Sequence, residues 1–247
     1  MCFLFSVQFT PHEFQVSLFI RSKNKLELNE NGKLAAKKAQ QLLADLKEMI
    51  QLIRAIDRER HTISIGSCAP MPAFALSQRA SVIYKDMTIT SELKSSDELI
   101  HGLRYEKYQI IILPYKPDDH DYLSKDYGSE TLYLVLPINH RLANRKTVSL
   151  NEMDGENMLL FSDIGFWHDI VTAHMPHSRF LVQTQRYDFD ELTRSSILPY
   201  FATDITLRFS EIPEDRVAVS IRDDDVNVKY YAVCLRHKAM QFRELFH

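Results

Sequence analysis

Apolar and polar positions alternate along this chain with two different periods, and the change of period divides it. The stretches Leu18 to Ile20 and Leu26 to Leu28 flank the cationic run Arg21 to Lys25, which predicts a small hairpin with a positively charged tip. From Asn29 onward, leucine and isoleucine recur every three or four residues as far as Asp57. That spacing predicts one long amphipathic helix beginning at Asn29, whose side chain is a good N-cap.

The apolar face of this helix needs a partner. About 28 residues at 1.5 Å per residue give a length of roughly 42 Å, which is more than a small domain covers. The helix either lies on its own domain or pairs with a second copy of the chain, and its length favours pairing. We therefore predict a dimerisation helix whose contact residues are Leu34, Leu42, Leu46, Ile50, Ile53 and Ile56.

Beyond His61 the pattern changes to short apolar strands that alternate with helical segments. The predicted strands span residues 62–67, 87–92, 108–113, 130–137, 158–161, 179–183, 217–221 and 229–235. The predicted helices span residues 70–79, 96–104, 166–174, 189–193 and 238–246, and a polar loop covers 116–129. This alternation is typical of βαβ units, so we expect an α/β fold with a mostly parallel sheet in two similar lobes. A ligand cleft is expected at the carboxyl ends of the strands.

Composition narrows the class of protein without naming a function. The 247 residues are 45% hydrophobic and 26% charged, as in a folded globular protein. Cys2, Cys68 and Cys234 are odd in number and far apart, so neither a disulfide framework nor a CxxC metal site is indicated. The first nine residues lack the basic start and cleavage site of a signal peptide. We expect a cytoplasmic protein that does not enter a membrane.

Charge is distributed unevenly along the chain. Residues 1–61 carry ten Lys and Arg against seven Asp and Glu, although the whole chain has a net charge of -3. A basic end on an acidic body indicates a polyanionic partner such as DNA, but a solvated helix face gives the same count. Both interpretations stay open on charge alone.

Several segments resemble the LysR-type family of bacterial transcriptional regulators. The run Leu18-Phe19-Ile20-Arg21, followed by Leu26-Glu27-Leu28-Asn29 and Gly32, is similar to that family's wing and helix start. Ile63 to Gly66 resembles its first effector-lobe strand. The run from Leu134 through His140 and Ala143 to Met153 resembles its passage into the second lobe. The resemblance covers about residues 18–247. It implies a linker helix that pairs subunits, two Rossmann-like lobes of the periplasmic-binding type, and regulation by a ligand in the cleft.

The N-terminal part departs from the family pattern. Only 17 residues precede Leu18, and Thr10-Pro11 would interrupt a DNA-reading helix. We expect a partial winged helix-turn-helix at 1–29, a linker and dimerisation helix at 30–60, and a two-lobed effector-binding domain at 61–247. Lobe I is expected at 61–114 and 217–247, and lobe II at 130–216. The chain should bind DNA weakly and without sequence preference, through phosphate contacts from Arg21, Lys23 and Lys25.

The resemblance also implies where an effector binds. The family's contacts follow the first lobe strand, the end of the crossing strand, and the start of the first helix of lobe two. On this chain those positions are Ser67, Cys68, Met71, Pro114, Ser162, Phe166 and Trp167. Hydroxyls and amides at a helix start suit a small anion or carboxylate. The apolar character of several positions indicates either a bulkier effector or a cleft closed by side chains.

No other motif indicates a cofactor, a metal or an enzyme. His168, His174 and His177 come nearest to a metal-ligand spacing, and Asp223 to Asp225 is interpreted as a solvated turn between strands. Cys68 is either a redox sensor at a helix start or, as we expect, an inert packed thiol. Catalytic motifs such as GxSxG and phosphate-binding glycine loops do not occur in the sequence.

The sequence therefore predicts a ligand-responsive transcriptional regulator that forms a homodimer or homotetramer. The alternative is a small-molecule-binding or dimer-poisoning protein that pairs through residues 30–57 and does not read an operator. A periplasmic solute-binding protein is disfavoured by the missing signal segment and the extra N-terminal helix.

Overall fold

The first part of the chain folds as a hairpin followed by a long helix. The computed structural model describes residues 14–22, 25–59 and 61–246, and the chain divides into two compact units between Arg54 and Ala55. Strands β1 (Phe19–Ser22) and β2 (Lys25–Leu28) pair antiparallel, as the sequence predicted. Helix α1 (Glu30–Glu59) follows directly. Lys23 lies outside the described residues, and the side chains of Arg21 and Lys25 lie outside them too.

Asn29 begins α1 through a side-chain cap, as its position in the sequence predicted. The backbone N–H of Gly32 donates to Oδ1 of Asn29 at 2.8 Å, and Nδ2 of Asn29 donates to the carbonyl of Ser17 at 2.8 Å. The cap satisfies one of the helix's free N–H groups and joins the helix start to the chain before the hairpin.

The predicted contact residues of α1 face solvent in the single chain. The side chains of Leu34, Leu42, Leu46, Ile50 and Ile53 are 39% to 60% exposed. The side chain of Ile56 lies outside the described residues. Pairing through this face stays a prediction. None of the helices in the described part of the chain combines the length and the apolar character needed to cross a membrane.

Ten described strands of the second unit form one mixed sheet. They are β3 (Thr62–Ser67), β4 (Thr88–Leu93), β5 (Ile110–Leu113), β6 (Tyr122–Pro137), β7 (Thr147–Val148), β8 (Asn157–Phe161), β9 (Arg179–Gln183), β10 (Tyr200–Thr203), β11 (Arg216–Ile221) and β12 (Asn227–Leu235). The helices are α2 (Pro70–Ile83), α3 (Ser96–Arg104), α4 (Trp167–His174), α5 (Arg186–Ser195) and α6 (Thr206–Phe209).

Strand β6 belongs to both lobes. In lobe I the order is β4-β3-β5-β12-β6, and in lobe II it continues β6-β10-β8-β9. The neighbouring strands β4, β3 and β5 are parallel, and so are β10, β8 and β9. Strand β12 is antiparallel to both of its neighbours, and β10 and β11 are antiparallel to β6. The sheet is therefore mixed rather than mostly parallel, because the strands that cross between the lobes run against their neighbours.

The structure places β11 in lobe II, whereas the sequence assigned residues 217–221 to lobe I. Strand β11 pairs with the last five residues of β6 and with β7, both of which belong to the lobe II sheet. After the 3₁₀ helix Asp224–Val226, the chain returns as β12 along the first half of β6. Two antiparallel segments therefore connect the lobes. One is β6, and the other is β11 followed by β12.

Three other expectations need correction. Residues 122–129, predicted as loop, form the first half of β6 because they pair with β12. The register of that pairing shifts beside Tyr230, and Gly128 has a φ of +99°, which glycine adopts without strain. Strand β10 and helix α6 were not predicted, since each spans only four residues. The segment 238–246 is not an α-helix, and 3₁₀ turns occur at Arg236–Lys238 and Arg243–Phe246.

A backbone hydrogen bond joins the two lobes beside the cleft. The N–H of Phe166, from lobe II, donates to the carbonyl of Cys68, from lobe I, at 2.9 Å. Gly165 makes this approach possible, because it has a φ of +63° and a Cβ at this position would lie 2.0 Å from the same carbonyl oxygen. We call this the lobe contact. It closes the cleft along the edge where the sequence placed Cys68 and Phe166.

We predict that Gly165→Ala separates the lobe contact and destabilises the protein. The added methyl group meets backbone rather than a movable side chain, so the free energy of unfolding should fall by about 2–4 kcal/mol. Gly155→Ala is the matched control, because Gly155 also has a positive φ but nothing lies within 4 Å of its missing Cβ. The control should cost only about 1 kcal/mol. Equal losses in urea titrations of the two variants would contradict the role of the lobe contact.

Candidate functional site

A cavity of about 700 Å³ lies where β8 and β10 end in lobe II. Helices α5 and α6 and the segment 210–214 form its sides, and Pro70 and Met71 of lobe I contribute to its wall. Ligands of open α/β sheets bind at the carboxyl ends of strands, and this volume suits a small molecule. The cavity is therefore the candidate functional site.

Most of the cavity wall is apolar or aromatic. The aromatic side chains that line it are Phe161, Trp167, Phe189, Tyr200, Phe201 and Phe209. Three of them pack edge to face, with the ring centroids of Phe161 and Phe189 5.7 Å apart and those of Phe189 and Tyr200 6.0 Å apart. Such packing fixes the rings and gives the cavity a defined shape.

Glu130 is a buried carboxylate at the inner end of this cavity. Its residue is 1% exposed, and the Tyr230 hydroxyl donates to its Oε2 at 2.7 Å. Burial raises the pKa of Glu130, while the side chains of Thr203, Tyr230 and Trp167 partly oppose that rise. Among the described residues, none with a positive charge forms an ion pair with it. Buried carboxylates are usually paired, so this one is costly where it stands.

The indole of Trp167 lies beside Glu130 and has an unused donor. Its Nε1–H is buried without a hydrogen-bond partner in the described structure, although it lies near enough to Glu130 to lower the pKa of that carboxyl. Phe166 stacks on Trp167 at 4.6 Å between centroids and meets Tyr230 edge to face at 6.2 Å. The inner end thus combines a buried carboxylate, a buried N–H without a well-aligned acceptor, and an aromatic wall.

Charges around the cavity are mostly negative. The carboxylates of Asp163, Asp190, Glu211 and Glu214 line it together with Glu130, whereas its cations are Arg186 and Arg194. Each of these arginines already has a carboxylate partner, since Arg186 Nε lies 3.0 Å from Asp190 and Arg194 Nη1 lies 3.5 Å from Glu191. The electrostatic field in the cavity therefore disfavours a free anion.

The predicted effector residues are only partly brought together. Met71 and Trp167 line the cavity, whereas Pro114, Ser162 and Phe166 are partly buried residues outside its lining. Ser67 and Cys68 are fully buried and are not part of its lining, and the Ser67 hydroxyl donates to the carbonyl of Ala69 at 2.7 Å. The effector contacts of these residues stay predictions. Part of the cleft is closed by the lobe contact rather than by side chains alone.

Cys68 has the environment of a packed thiol. Burial raises the pKa of its thiol to about 12, and the nearby charge of Glu130 acts in the same direction. Because the thiolate is the reactive form, this environment supports inert packing over redox sensing.

Sequence reasoning missed the buried polar group at the inner end. Glu130 stands at the start of a predicted strand, where a charged residue usually faces solvent, and Tyr230 stands in a strand 100 residues later. Only the antiparallel pairing of β6 with β12 brings the two together. The remaining wall comes from α5, β10 and α6, of which the sequence predicted only part of α5.

The other polar motifs serve the structure of lobe II. His168, His174 and His177 each approach a different carboxylate, those of Asp169, Asp225 and Asp154. Asp223 is not a freely solvated turn residue, because its two oxygens accept hydrogen bonds from the Ser149 hydroxyl and the Leu150 N–H. It joins the turn between β11 and β12 to a neighbouring 3₁₀ helix.

We predict that Glu130→Gln makes the stability of the folded protein less sensitive to rising pH. A carboxyl with a raised pKa stabilises the folded state below its unfolded pKa near 4.5, and that stabilisation is lost as pH rises through the folded pKa. The melting temperature of the variant relative to the parent should therefore increase by about 2–5 °C between pH 5 and pH 8. Glu211→Gln, which alters an exposed carboxylate, should show no such trend. A difference in melting temperature between Glu130→Gln and the parent that stays constant from pH 5 to pH 8 would refute this prediction.

Comparisons with known proteins agree with this fold. The family model of the LysR substrate binding domain matches residues 59–192, which is more than half of the chain. The transcriptional dual regulator GltC of Bacillus subtilis (strain 168) is 25% identical over 189 residues. That match covers 73% of this chain and 62% of GltC, so the chain spans less than two thirds of that relative's length.

Two solved structures show the same architecture. A full-length OxyR variant from Pseudomonas aeruginosa has a TM-score of 0.56 at 17% identity, covering 95% of this chain and 80% of that one. The regulatory domain of CcmR from Synechocystis PCC6803, solved in complex with 2-PG, has a TM-score of 0.54 at 10% identity, covering 75% and 96%. At these identities the structures support the fold alone. The family match over more than half of the chain shows that this chain belongs to the LysR substrate-binding domain family.

Proposed function

We propose that this chain is a ligand-responsive transcriptional regulator of LysR type whose effector binds in the lobe II cavity. The observation that carries the proposal is a cavity of about 700 Å³ at the carboxyl ends of β8 and β10, inside a domain of this family. The cavity also contacts lobe I through Pro70 and Met71, so a ligand there would bear on the packing between lobes. GltC is itself a transcriptional dual regulator.

The chemical class of the effector depends on the charged groups that line the cavity. The sequence led us to expect a small anion or carboxylate, and Arg186 and Arg194 are the lining cations that such a group would meet. Both already pair with carboxylates, so an anion would have to compete with Asp190 and Glu191. The Ser67, Cys68, Met71, Pro114, Ser162, Phe166 and Trp167 positions remain the proposed effector contacts, with Met71 and Trp167 supported by their place in the wall.

The apolar stripe of α1 supports a homodimer. Of the predicted contact residues, Leu34, Ile50 and Ile56 remain in the proposed contact set, and Leu42, Leu46 and Ile53 lie on a stripe with Ala35, Ala39 and Met49, whose members alternate at spacings of four and three residues. This is the a/d repeat of a coiled coil, and the larger members of the set are exposed in the single chain. Pairing through α1 would bury them. Tetramers would need further contacts.

The hairpin β1–β2 supports contact with DNA phosphates. Its strands carry Arg21 and Lys25, and Lys23 follows β1 in the sequence. Cationic side chains at a hairpin bind phosphates without reading bases, so contacts of this kind would give weak binding without sequence preference. The alternative, a protein that binds a small molecule and pairs through α1 without reading an operator, differs from this proposal only in DNA binding.

We predict that Leu46→Asp disrupts pairing. A carboxylate in the middle of the stripe would be buried without a partner in the dimer, so association should weaken by roughly 100-fold or more. Analytical ultracentrifugation at micromolar concentration should show a dimer for the parent and a monomer for the variant. Gln40→Asp adds the same charge at an exposed position away from the stripe and should remain dimeric. A monomeric parent protein would sink the dimer proposal.

We predict that replacing the hairpin cations weakens DNA binding in a salt-dependent way. The triple variant Arg21→Ala, Lys23→Ala, Lys25→Ala should lower the slope of log affinity against log salt by about 2–3, because each phosphate contact releases a counterion. Fluorescence anisotropy with a random-sequence duplex measures this slope.

The control for that experiment removes exposed lysines from the second unit. Lys85→Ala with Lys116→Ala should leave the slope unchanged. An unchanged slope in the hairpin variant, or tight sequence-selective binding by the parent that the hairpin variant retains, would reject the assigned contacts. Absence of any DNA binding by the parent would favour the alternative function.

A further inference from the structure

We infer that the inner end of the cavity binds the protonated amine of a ligand with an apolar, preferably aromatic body, and that Glu130 is the counter-ion. The inference rests on the proposed function, because it takes the lobe II cavity as the effector site. It goes further by assigning a chemical class of ligand and the residue that selects it. That class differs from the anion that the sequence led us to expect.

The first observation is a buried carboxylate without a cation among the described residues. Glu130 is 1% exposed, lines the cavity, and has one hydrogen bond of normal geometry within the described structure, from the Tyr230 hydroxyl to Oε2. The Thr203 and Trp167 side chains also lie close enough to lower its pKa, but none of these three neighbours carries a positive charge. Burial of an ionised carboxyl is unfavourable unless a positive partner or several donors compensate it. An ammonium group in the cavity would supply the positive charge that these neighbours lack.

The second observation is the aromatic wall around that carboxylate. Trp167 lines the cavity next to Glu130, and Phe161, Phe189 and Tyr200 line it further out. Ring faces attract cations, and tryptophan does so best, so aromatic residues with one carboxylate suit an ammonium ion. Arg186 illustrates this preference, since its guanidinium carbon lies 5.8 Å and 5.5 Å from the ring centroids of Phe161 and Phe189.

The third observation is the charge of the whole lining. Five carboxylates face the cavity against two guanidinium groups, and both guanidinium groups are engaged with carboxylates. An anion would enter against this field, whereas an ammonium ion would be drawn in. The apolar wall then has room for a ring or short alkyl body, because the cavity measures about 700 Å³.

The test uses three probes that share a phenyl ring and a two-carbon chain. They are 2-phenylethylamine, 2-phenylethanol and phenylacetate, which carry an ammonium, a hydroxyl and a carboxylate. Trp167 is the single tryptophan of the chain, so its fluorescence with excitation at the red edge reports on the cavity wall directly. We expect the amine to bind the full-length protein at least about ten-fold more tightly than either other probe.

Two variants assign the effect to Glu130. Glu130→Gln should weaken the amine about ten-fold or more and leave 2-phenylethanol within about two-fold. Glu130→Asp keeps the charge on a shorter side chain and should retain the preference for the amine, which keeps the test decisive if the Gln variant folds poorly. Glu244→Gln removes an exposed carboxylate that lies outside the cavity lining and is the matched control, with affinities unchanged.

Specific results would overturn the inference. Tighter binding of phenylacetate, equal amine affinity in the parent and Glu130→Gln, or no saturable change with any probe at about 10 mM would each do so. A preference for phenylacetate would restore the anionic class. Failure of the inference is distinguishable from failure of the proposed site, because saturable binding of 2-phenylethanol or phenylacetate without a preference for the amine would keep the cavity as a ligand site, whereas no binding of any probe would count against both.

Discussion

The two-lobed structure depends on the hydrogen bonding between β6 and the β11–β12 segment. Strand β6 runs for 16 residues through both lobes, with β12 beside its first half and β11 beside its second. One lobe therefore cannot move relative to the other without bending β6 and the β11–β12 segment. The register shift beside Tyr230 and the positive φ of Gly128 lie in the lobe I part of this ladder, close to where β12 meets the turn from β11.

The same pairing creates the polar centre of the candidate site. Glu130 lies in the middle of β6, and Tyr230 reaches it from β12. The lobe contact between Phe166 and Cys68 closes the cleft nearby, so the main space for a ligand is shifted towards lobe II. A ligand that changes the ionisation or the hydrogen bonding of Glu130 would therefore act on the strands that join the lobes. The pairing of β6 with β12 would thus couple ligand binding at Glu130 to the relative packing of the two lobes.

The candidate site also shows why an effector class is hard to infer from a family pattern. The pattern pointed to hydroxyls and amides at a helix start, which suit an anion. In the folded chain, Ser67 donates to a local carbonyl and Cys68 accepts from the opposite lobe, so these groups are already engaged. The cavity lining instead holds the Glu130 carboxylate and several aromatic rings, and those groups suit a cation.

The sequence by itself determined the elements whose period is long and regular. It predicted the hairpin, the long helix with its apolar stripe, and the strands β3 and β9 and helix α3 at their observed bounds, because local periodicity and capping residues decide such elements. Only the tertiary structure decided that β11 belongs to lobe II and that the first half of β6 is a strand. It also decided the formation of the short elements β10 and α6 and the burial of Glu130. Each of these depends on strand pairing between segments distant in sequence, and a charged residue or a four-residue run gives no local sign of which neighbour it will meet.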